Sequence, residues 1–208
     1  MIIAEVTDTS SAKKFIELPR KLYKNDRNFI SPLDKDIEAI FDPALNNFHS
    51  HGIIKRWIAL DDKGETVGRI AAFINHQKNK NSDFIIGAIG FFESINDEPN
   101  AFLLFETAKQ WLQQNNAKAM DGPINFGEND KYWGLLVEGF VPPSMGMNYN
   151  PEYYKTFFEN YGFEKQYDQY TNVINVLKPF PERFSKIADW IASKPDYKFI
   201  HFENKRFE

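Results

Sequence analysis

RWIALDDKGETVGRIAAFI, residues 56–74, is two runs rich in aliphatic residues on either side of Asp61-Asp62-Lys63-Gly64. Glycine tolerates positive φ, and an Asp side chain bonds the backbone just ahead of it, so the four residues predict a tight turn. The stretch therefore reads as two strands, residues 56–60 and 66–74, folded back on each other as a hairpin. Downstream, FIIGAIGFFE (residues 84–93) is a nearly continuous apolar run, the pattern of a central strand covered on both faces. Gly87 and Gly90 within it predict a bulge or a close approach of another backbone.

Helices should flank this sheet. Residues 2–6 read as a first strand, followed by a helix capped by Ser10 or Ser11, with Ala12, Phe15, Ile16, Leu22 and Tyr23 on its apolar face. Pro19 lies in the middle of that pattern and is expected to kink or divide it. Residues 29–48 mix Pro, Asp and short helical turns, a surface segment anchored by Ile37, Ile40 and Phe41. Asp97, Glu98 and Pro99 open the clearest helix, since acids suit the positive helix end and proline its first turn. Its apolar stripe is Ala101, Leu104, Phe105, Ala108, Trp111 and Leu112, and it stops at Asn115-Asn116. Residues 117–121 make a short strand. A loop-rich stretch follows, then a helix starting from Asn150 as cap and Pro151 as first residue and ending at Gly162. Residues 164–177 read as one or two strands. Pro179 and Pro181 mark a boundary before an amphipathic helix carrying Phe184, Ile187 and Ile191, and residues 197–202 read as a last strand. This mixture predicts an α/β (α+β) domain over residues 1–178, with a linker helix and strand over 179–208.

The chain has 208 residues, 42% of them hydrophobic and 16% aromatic, ample for a bulky core. Acids and bases are interspersed at a net charge of −4, and no block of Lys or Arg offers a stripe that would track phosphates, so no nucleic-acid partner is expected. The absence of cysteine excludes disulfides, thiolate zinc sites and a cysteine nucleophile. No apolar run reaches the roughly 20 residues that span a bilayer, and the N-terminus has no secretion-signal pattern. A cytoplasmic protein without a membrane partner is the expectation.

The order of elements, with a hairpin before a glycine-containing central strand and a helix ending in YGF, resembles the GNAT acyltransferase superfamily. WIALDDKGETVGRIAAFI is similar to that family's second and third strands, FIIGAIGFFES to its fourth, and NPEYYKTFFENYGFEK to the helix usually written as Asn, a Leu-Tyr pair and a terminal Gly-Phe. GPINFGEND, GLLVEGF and MNYNPEYY resemble more narrowly a group of bacterial GNAT-like proteins without an assigned activity, which carry a second similar module. The resemblance implies a mixed, largely antiparallel sheet with helices on both faces. It implies acyl transfer from acyl-CoA, such as acetyl-CoA, to a small amine or amino-acid-like substrate, with no metal. It also implies a partner in a second in-chain module, of which residues 179–208 would be the start, or in a homodimer. Two departures accompany it. The family's Gln/Arg-x-x-Gly-x-Gly/Ala turn, whose successive N–H groups hold the CoA pyrophosphate at a helix N-terminus, is replaced by SINDEPNAF. The tyrosine that protonates the departing thiolate aligns with Phe158, leaving Tyr154 or Tyr161 to substitute. A non-catalytic ligand-binding module, or a transferase using another donor such as an aminoacyl carrier, are the alternatives.

Glu93, at the end of the central strand, is placed where such an enzyme keeps its base, and Tyr154 is the candidate acid. Phe91 and Phe92 on that strand, and Asn100 at the start of the next helix, are the cofactor-binding candidates. Asn125, Asn129, Asp130, Asn148 and Tyr149, in the loop-rich stretch, are the substrate-binding candidates, since long ordered loops in compact domains often bind ligands. The Asn and Asp side chains would serve equally well to tie that loop together. Arg69 reads either as a contact for an anionic group or as a strand-face ion pair. His49 and His51, near Asp42, are too few for a metal site.

Overall fold

Five strands pair in the order in which they occur along the chain. β1 (Ile2–Glu5), β2 (Gly52–Leu60), β3 (Thr66–Asn75) and β4 (Ile85–Ser94) are antiparallel neighbours, and β5 (Ala117–Asp121) runs parallel to β4. This computed structural model describes residues 1–198 and 200. The hairpin is as the sequence indicates. The Asp61 carboxylate accepts from the backbone N–H of Lys63 at 2.9 Å and of Glu65 at 2.8 Å, and Gly64 takes φ +78°.

The alternation of β3 divides the core. Ile70, Ala72 and Ile74 face α3 (Glu98–Gln114) and α4 (Tyr153–Tyr161), packing with Leu104, Phe105, Leu112, Tyr154 and Phe158. Ala71 faces the other way, toward Phe15 and Ile16 of α1 (Thr9–Leu22) and Ile37 of α2 (Asp34–Phe41). Helices therefore cover both faces of a mixed, largely antiparallel sheet.

Several local expectations are corrected. The cap of α1 is Asp8, whose carboxylate accepts from Ser11 N–H at 2.7 Å while the Ser11 hydroxyl accepts from Asp8 N–H at 3.2 Å. Pro19 does not divide the helix, which continues to Leu22. Proline removes the N–H that would bond the carbonyl of Phe15 four residues back. Here the Arg69 guanidinium donates to that carbonyl at 2.7 Å instead. Helix α4 begins at Tyr153, because the Asn150 amide bonds across to both backbone groups of Leu136, at 2.8 and 3.0 Å, and caps nothing. Its end is as expected, with Gly162 at φ +104°. Residues 164–177 form no strand, since among the described residues no neighbouring strand pairs with them.

The glycines of β4 serve close approach. A Cβ on Gly90 would lie 1.9 Å from the carbonyl oxygen of Ile124, and one on Gly87 would lie 2.4 Å from the Leu112 side chain. The bulge falls immediately after Gly90. Arg69 pairs with Glu93 but Ala71 with Gly90, so Phe91 and Phe92 together oppose Ile70. Phe91 adopts φ +51° to accommodate the extra residue.

The described residues divide into two compact units, Met1–Gln166 and a second that begins at Tyr167. The second contains the amphipathic helix α5 (Glu182–Ala192), which carries Phe184, Ile187 and Ile191. Of the strand expected over 197–202, positions 199, 201 and 202 lie outside the described residues.

These contacts predict opposite sensitivities at two glycines. Gly90→Ala drives a methyl into backbone that cannot withdraw, and it should cost more than about 3 kcal/mol or abolish folding. Gly64→Ala meets nothing within 4 Å and carries only the left-handed backbone penalty of roughly 1–2 kcal/mol. Urea unfolding of both variants compares the two, and equal losses would contradict the packing described.

Candidate functional site

The bulge at Phe91 sets the direction of Glu93, near the C-terminal end of β4. The carboxyl is almost completely buried, and three donors converge on it. Tyr23, at the C-terminal end of α1, donates its hydroxyl to Oε2, the Tyr154 hydroxyl of α4 donates to the same oxygen at 2.8 Å, and Arg69 Nη2 of β3 lies 3.4 Å from Oε1. Arg69 is equally buried. Burial pushes the Glu93 carboxyl up from its ordinary value, opposed first by the Arg69 charge and then by the tyrosine hydrogen bonds. Burial likewise pushes the hydroxyls of Tyr23 and Tyr154 well above their usual range, reinforced by the neighbouring carboxylate. Both tyrosines are therefore firm proton holders, and Glu93 has a raised affinity for a proton.

Glu93 and Tyr154 line a cavity of about 90 Å³. One wall comes from residues 29–37 (Phe29, Pro32, Ile37), and the opposite wall from the loop between β5 and α4 (Tyr132, Leu135, Asn148, Tyr149). That loop is tied down by side chains. The Asn148 amide donates to the Gly134 carbonyl, Asn150 clamps Leu136, and the Tyr149 hydroxyl donates to the Asp26 carboxylate at 2.7 Å. Burial, then that Asp26 hydrogen bond, pushes the Tyr149 hydroxyl up to about 12.

Glu93, Tyr154, Asn148 and Tyr149 are thus brought together, with Phe91 and Phe92 beneath them. The Phe92 ring stacks on Phe105 in the α3 side of the core, and Phe91 packs on the α1–α2 side. The other candidates lie elsewhere. Asn125 lines a different cavity, and Asn129 and Asp130 are exposed outside both. The Asn100 side chain is wholly buried, donating to the Val67 carbonyl at 3.1 Å and the Ser94 hydroxyl at 2.9 Å. His49 has one ring nitrogen 3.2 Å from the Ile40 carbonyl and lies edge-on to Phe126.

The structure adds Tyr23 to the site and assigns Arg69 to the ion pair. Tyr23 reads in sequence as an apolar-face helical residue, and nothing local relates it to Glu93, 70 positions away. Arg69 left a trace in Pro19, because a proline inside an uninterrupted helix frees a carbonyl for some other donor.

Whether these residues fit the diphosphate of CoA is tested at the N-terminus of α3. The Asp97 carboxylate already accepts the Asn100 N–H at 3.2 Å, and Glu98 adds a second acid, held by the Asn160 amide at 2.6 Å. The C-terminal end of β4 is also occupied, since Ser94 N–H donates to the Tyr154 hydroxyl at 2.7 Å and Ser94 C=O accepts from the Tyr153 hydroxyl at 2.9 Å. Phe158 packs edge-on against Phe92 and Phe105. A diphosphate does not fit a helix end that two carboxylates fill.

No protein-family model matches the chain. It is 32% identical over 171 residues to protein YghO of Escherichia coli, covering 80% of this chain and 42% of that protein. It is 29% identical over 182 residues to the bacterial ceramide synthase of Caulobacter vibrioides, covering 86% of this chain and 47% of that protein. The chain thus spans about half the length of these curated relatives. Among solved structures, the BH1408 protein of Bacillus halodurans, as a tetramutant, superposes with a TM-score of 0.54 at 10% identity, over 84% of this chain and 100% of that one. An aminoglycoside acetyltransferase from an uncultured soil metagenomic sample, in complex with sisomicin, gives 0.50 at 12% identity over 84% and 96%. An acetyltransferase of Trypanosoma brucei gives 0.50 at 13% identity over 83% and 99%. At these identities the likeness is one of fold. Among the described residues no helix is long and apolar enough to cross a membrane, and no three metal-binding side chains cluster.

The buried pair gives a prediction in pH. A carboxyl raised above its ordinary 4.5 binds its proton more tightly folded than unfolded, so stability falls as pH rises from about that value to the folded one. Arg69→Met removes the opposing charge, raises Glu93 further and widens that window. The variant should lose about 3–5 kcal/mol at about pH 8 and regain part of it at about pH 5. Urea melts at both pH values check this, and a variant whose pH response matched the wild type would show that Arg69 does not hold the Glu93 charge.

Proposed function

On a chain with the fold of the GNAT acyltransferases, we propose that the Glu93 cavity is the site of an N-acyl transfer to a primary amine. The observation that carries this reading is a desolvated carboxyl opening onto a loop-walled cavity with a proton-bearing tyrosine 2.8 Å away. The amine nitrogen attacks the carbonyl carbon of an activated acyl donor, forming the C–N bond as the bond from carbon to the leaving atom breaks. Glu93 takes the proton that the nitrogen loses. The leaving thiolate or alkoxide takes a proton from the Tyr154 hydroxyl, and Tyr154 recovers one from Glu93 through their hydrogen bond. Amine and acyl donor become amide and free thiol or alcohol, with the protein unchanged.

The donor is an activated acyl group whose carrier is not gripped by a diphosphate at α3. Acyl-CoA remains the first compound to assay because of the fold, and an acylated carrier is the second. For the acceptor, similarity to a ceramide synthase adds a long-chain amino alcohol to the small amines, since ceramide is the amide of such a base. The rival reading, a ligand-binding module without chemistry, draws on the fact that Tyr23, Tyr154 and Arg69 already bond the carboxylate.

Amide formation is to be followed by mass spectrometry with small amines and a long-chain amino alcohol, each against acetyl-CoA, long-chain acyl-CoA and an acylated carrier. Glu93→Gln keeps the shape of the side chain and should lower turnover on the order of 10²–10⁴-fold. Tyr154→Phe should lower it less, because water can supply the second proton. Full turnover in Glu93→Gln would sink the assignment of the base, and no amide from any pair would favour the binding module.

A further inference from the structure

A second cavity, of about 130 Å³, opens where the chain leaves β5. It is walled by Phe48, Phe73, Ile124 and Phe126, and Asp121 and Asn125 also line it. None of these residues lines the Glu93 cavity. Asn125 is 6% exposed, yet its Oδ1 has no hydrogen-bond partner. A buried carbonyl oxygen without a donor is uncommon and costly in a folded protein. No neighbouring amide donates to it. Asn75 Oδ1 accepts from the backbone N–H of Gln77 and of Lys78, and Asn79 is engaged with the Asn75 carbonyl and both backbone groups of Ile86. Lys78 also lines the cavity, and its ammonium lies over the Trp133 ring, 4.6 Å from its centroid.

The Asp121 carboxyl is half-buried, and burial alone pushes it up, with no cation or hydrogen bond opposing. Gly127 leaves room for the Asn125 amide, since a Cβ there would stand 3.0 Å from Asn125 Nδ2. The cavity therefore combines an unpaired neutral acceptor, an unpaired carboxylate and three aromatic walls. Two acceptors of which one is anionic select a donor with positive charge, and aromatic faces add attraction for a cation and for a hydrocarbon body.

We propose that this cavity is a second binding site, separate from the Glu93 cavity, for an organic ammonium ion. Its N–H groups divide between Asn125 Oδ1 and the Asp121 carboxylate, and its carbon body lies against Phe48, Phe73 and Phe126.

Benzylamine, protonated at neutral pH, is a suitable probe, with benzyl alcohol as the uncharged control of nearly equal shape. Titration of the ¹⁵N-labelled protein followed by NMR should give saturable shifts at Asp121, Asn125, Phe126 and Gly127 with the amine and at least about tenfold weaker binding with the alcohol. Asp121→Asn, which preserves shape at a half-buried position, and Asn125→Leu should each weaken the amine about tenfold. Retained dispersion of the spectrum in both variants separates loss of the site from loss of the fold. The proposal is overturned if the alcohol binds as well as the amine, if shifts appear only around Glu93 and Tyr154, if neither variant weakens binding, or if no saturable shift occurs because the cavity holds only water. Shifts confined to Glu93 and Tyr154 would put the amine in the acyl-transfer cavity instead, and the other results leave that reading untouched.

Discussion

A charge pair withdrawn from water organises this domain. Glu93 and Arg69 stand on adjacent strands at a position where both are buried, and neither is tolerable there without the other. Their remaining hydrogen-bonding capacity draws in other elements. Arg69 reaches the Phe15 carbonyl of α1, freed by Pro19, and Glu93 takes hydroxyl groups from the end of α1 and from α4. Two helices on opposite faces of the sheet and two of its strands are thereby tied to one point. An apolar core of this size would hold the helices on the sheet, but it would not fix these positions relative to one another.

The same network makes the pair chemically useful. A carboxyl held above its usual range, with a tyrosine that keeps its proton 2.8 Å away, is placed to accept a proton and return it. The bulge at Phe91 is what turns Glu93 toward the cavity, and the left-handed backbone of Phe91 is the local strain that accompanies it. The loop between β5 and α4 closes the far wall, through asparagine side chains that bond backbone groups of the loop. In this domain those asparagines are architecture as well as lining, since Asn148 and Asn150 hold the loop while Asn148 also faces the cavity.

The end of α3 departs from the arrangement that the fold suggests. Acids and a proline give that helix a good start, and the same acids fill the place where the resemblance would have an anion bind. On the neighbouring strand the free backbone groups of Ser94 are satisfied by tyrosine hydroxyls. Stability of the isolated domain and grip on a diphosphate make opposite demands at that corner, and the side chains present meet the first.

Much of the fold was legible in the sequence because its signals are local. The Asp61–Gly64 turn, the apolar run of β4, the stripe of α3 and the Gly162 stop each depend on residues within a few positions of one another. The helix starts and the stretch 164–177 were misread for the complementary reason. Whether Ser11 or Asp8 caps α1, whether Asn150 caps α4 or clamps Leu136, and whether an extended segment becomes a strand all depend on which partner comes near. The candidate site divides in the same way. Glu93 and Tyr154 were named through the resemblance, which gives their positions in a strand and a helix but not their surroundings. The junction of Tyr23 with Glu93, the Arg69 bond to Phe15, and the separation of Asn125 from Asn148 exist only once the chain has folded. By itself the sequence determined the elements, their order and the acids at the start of α3, since backbone conformation and capping respond to neighbours along the chain. Tertiary structure alone decided which polar groups are removed from water together, since burial and charge pairing are properties of the packed molecule.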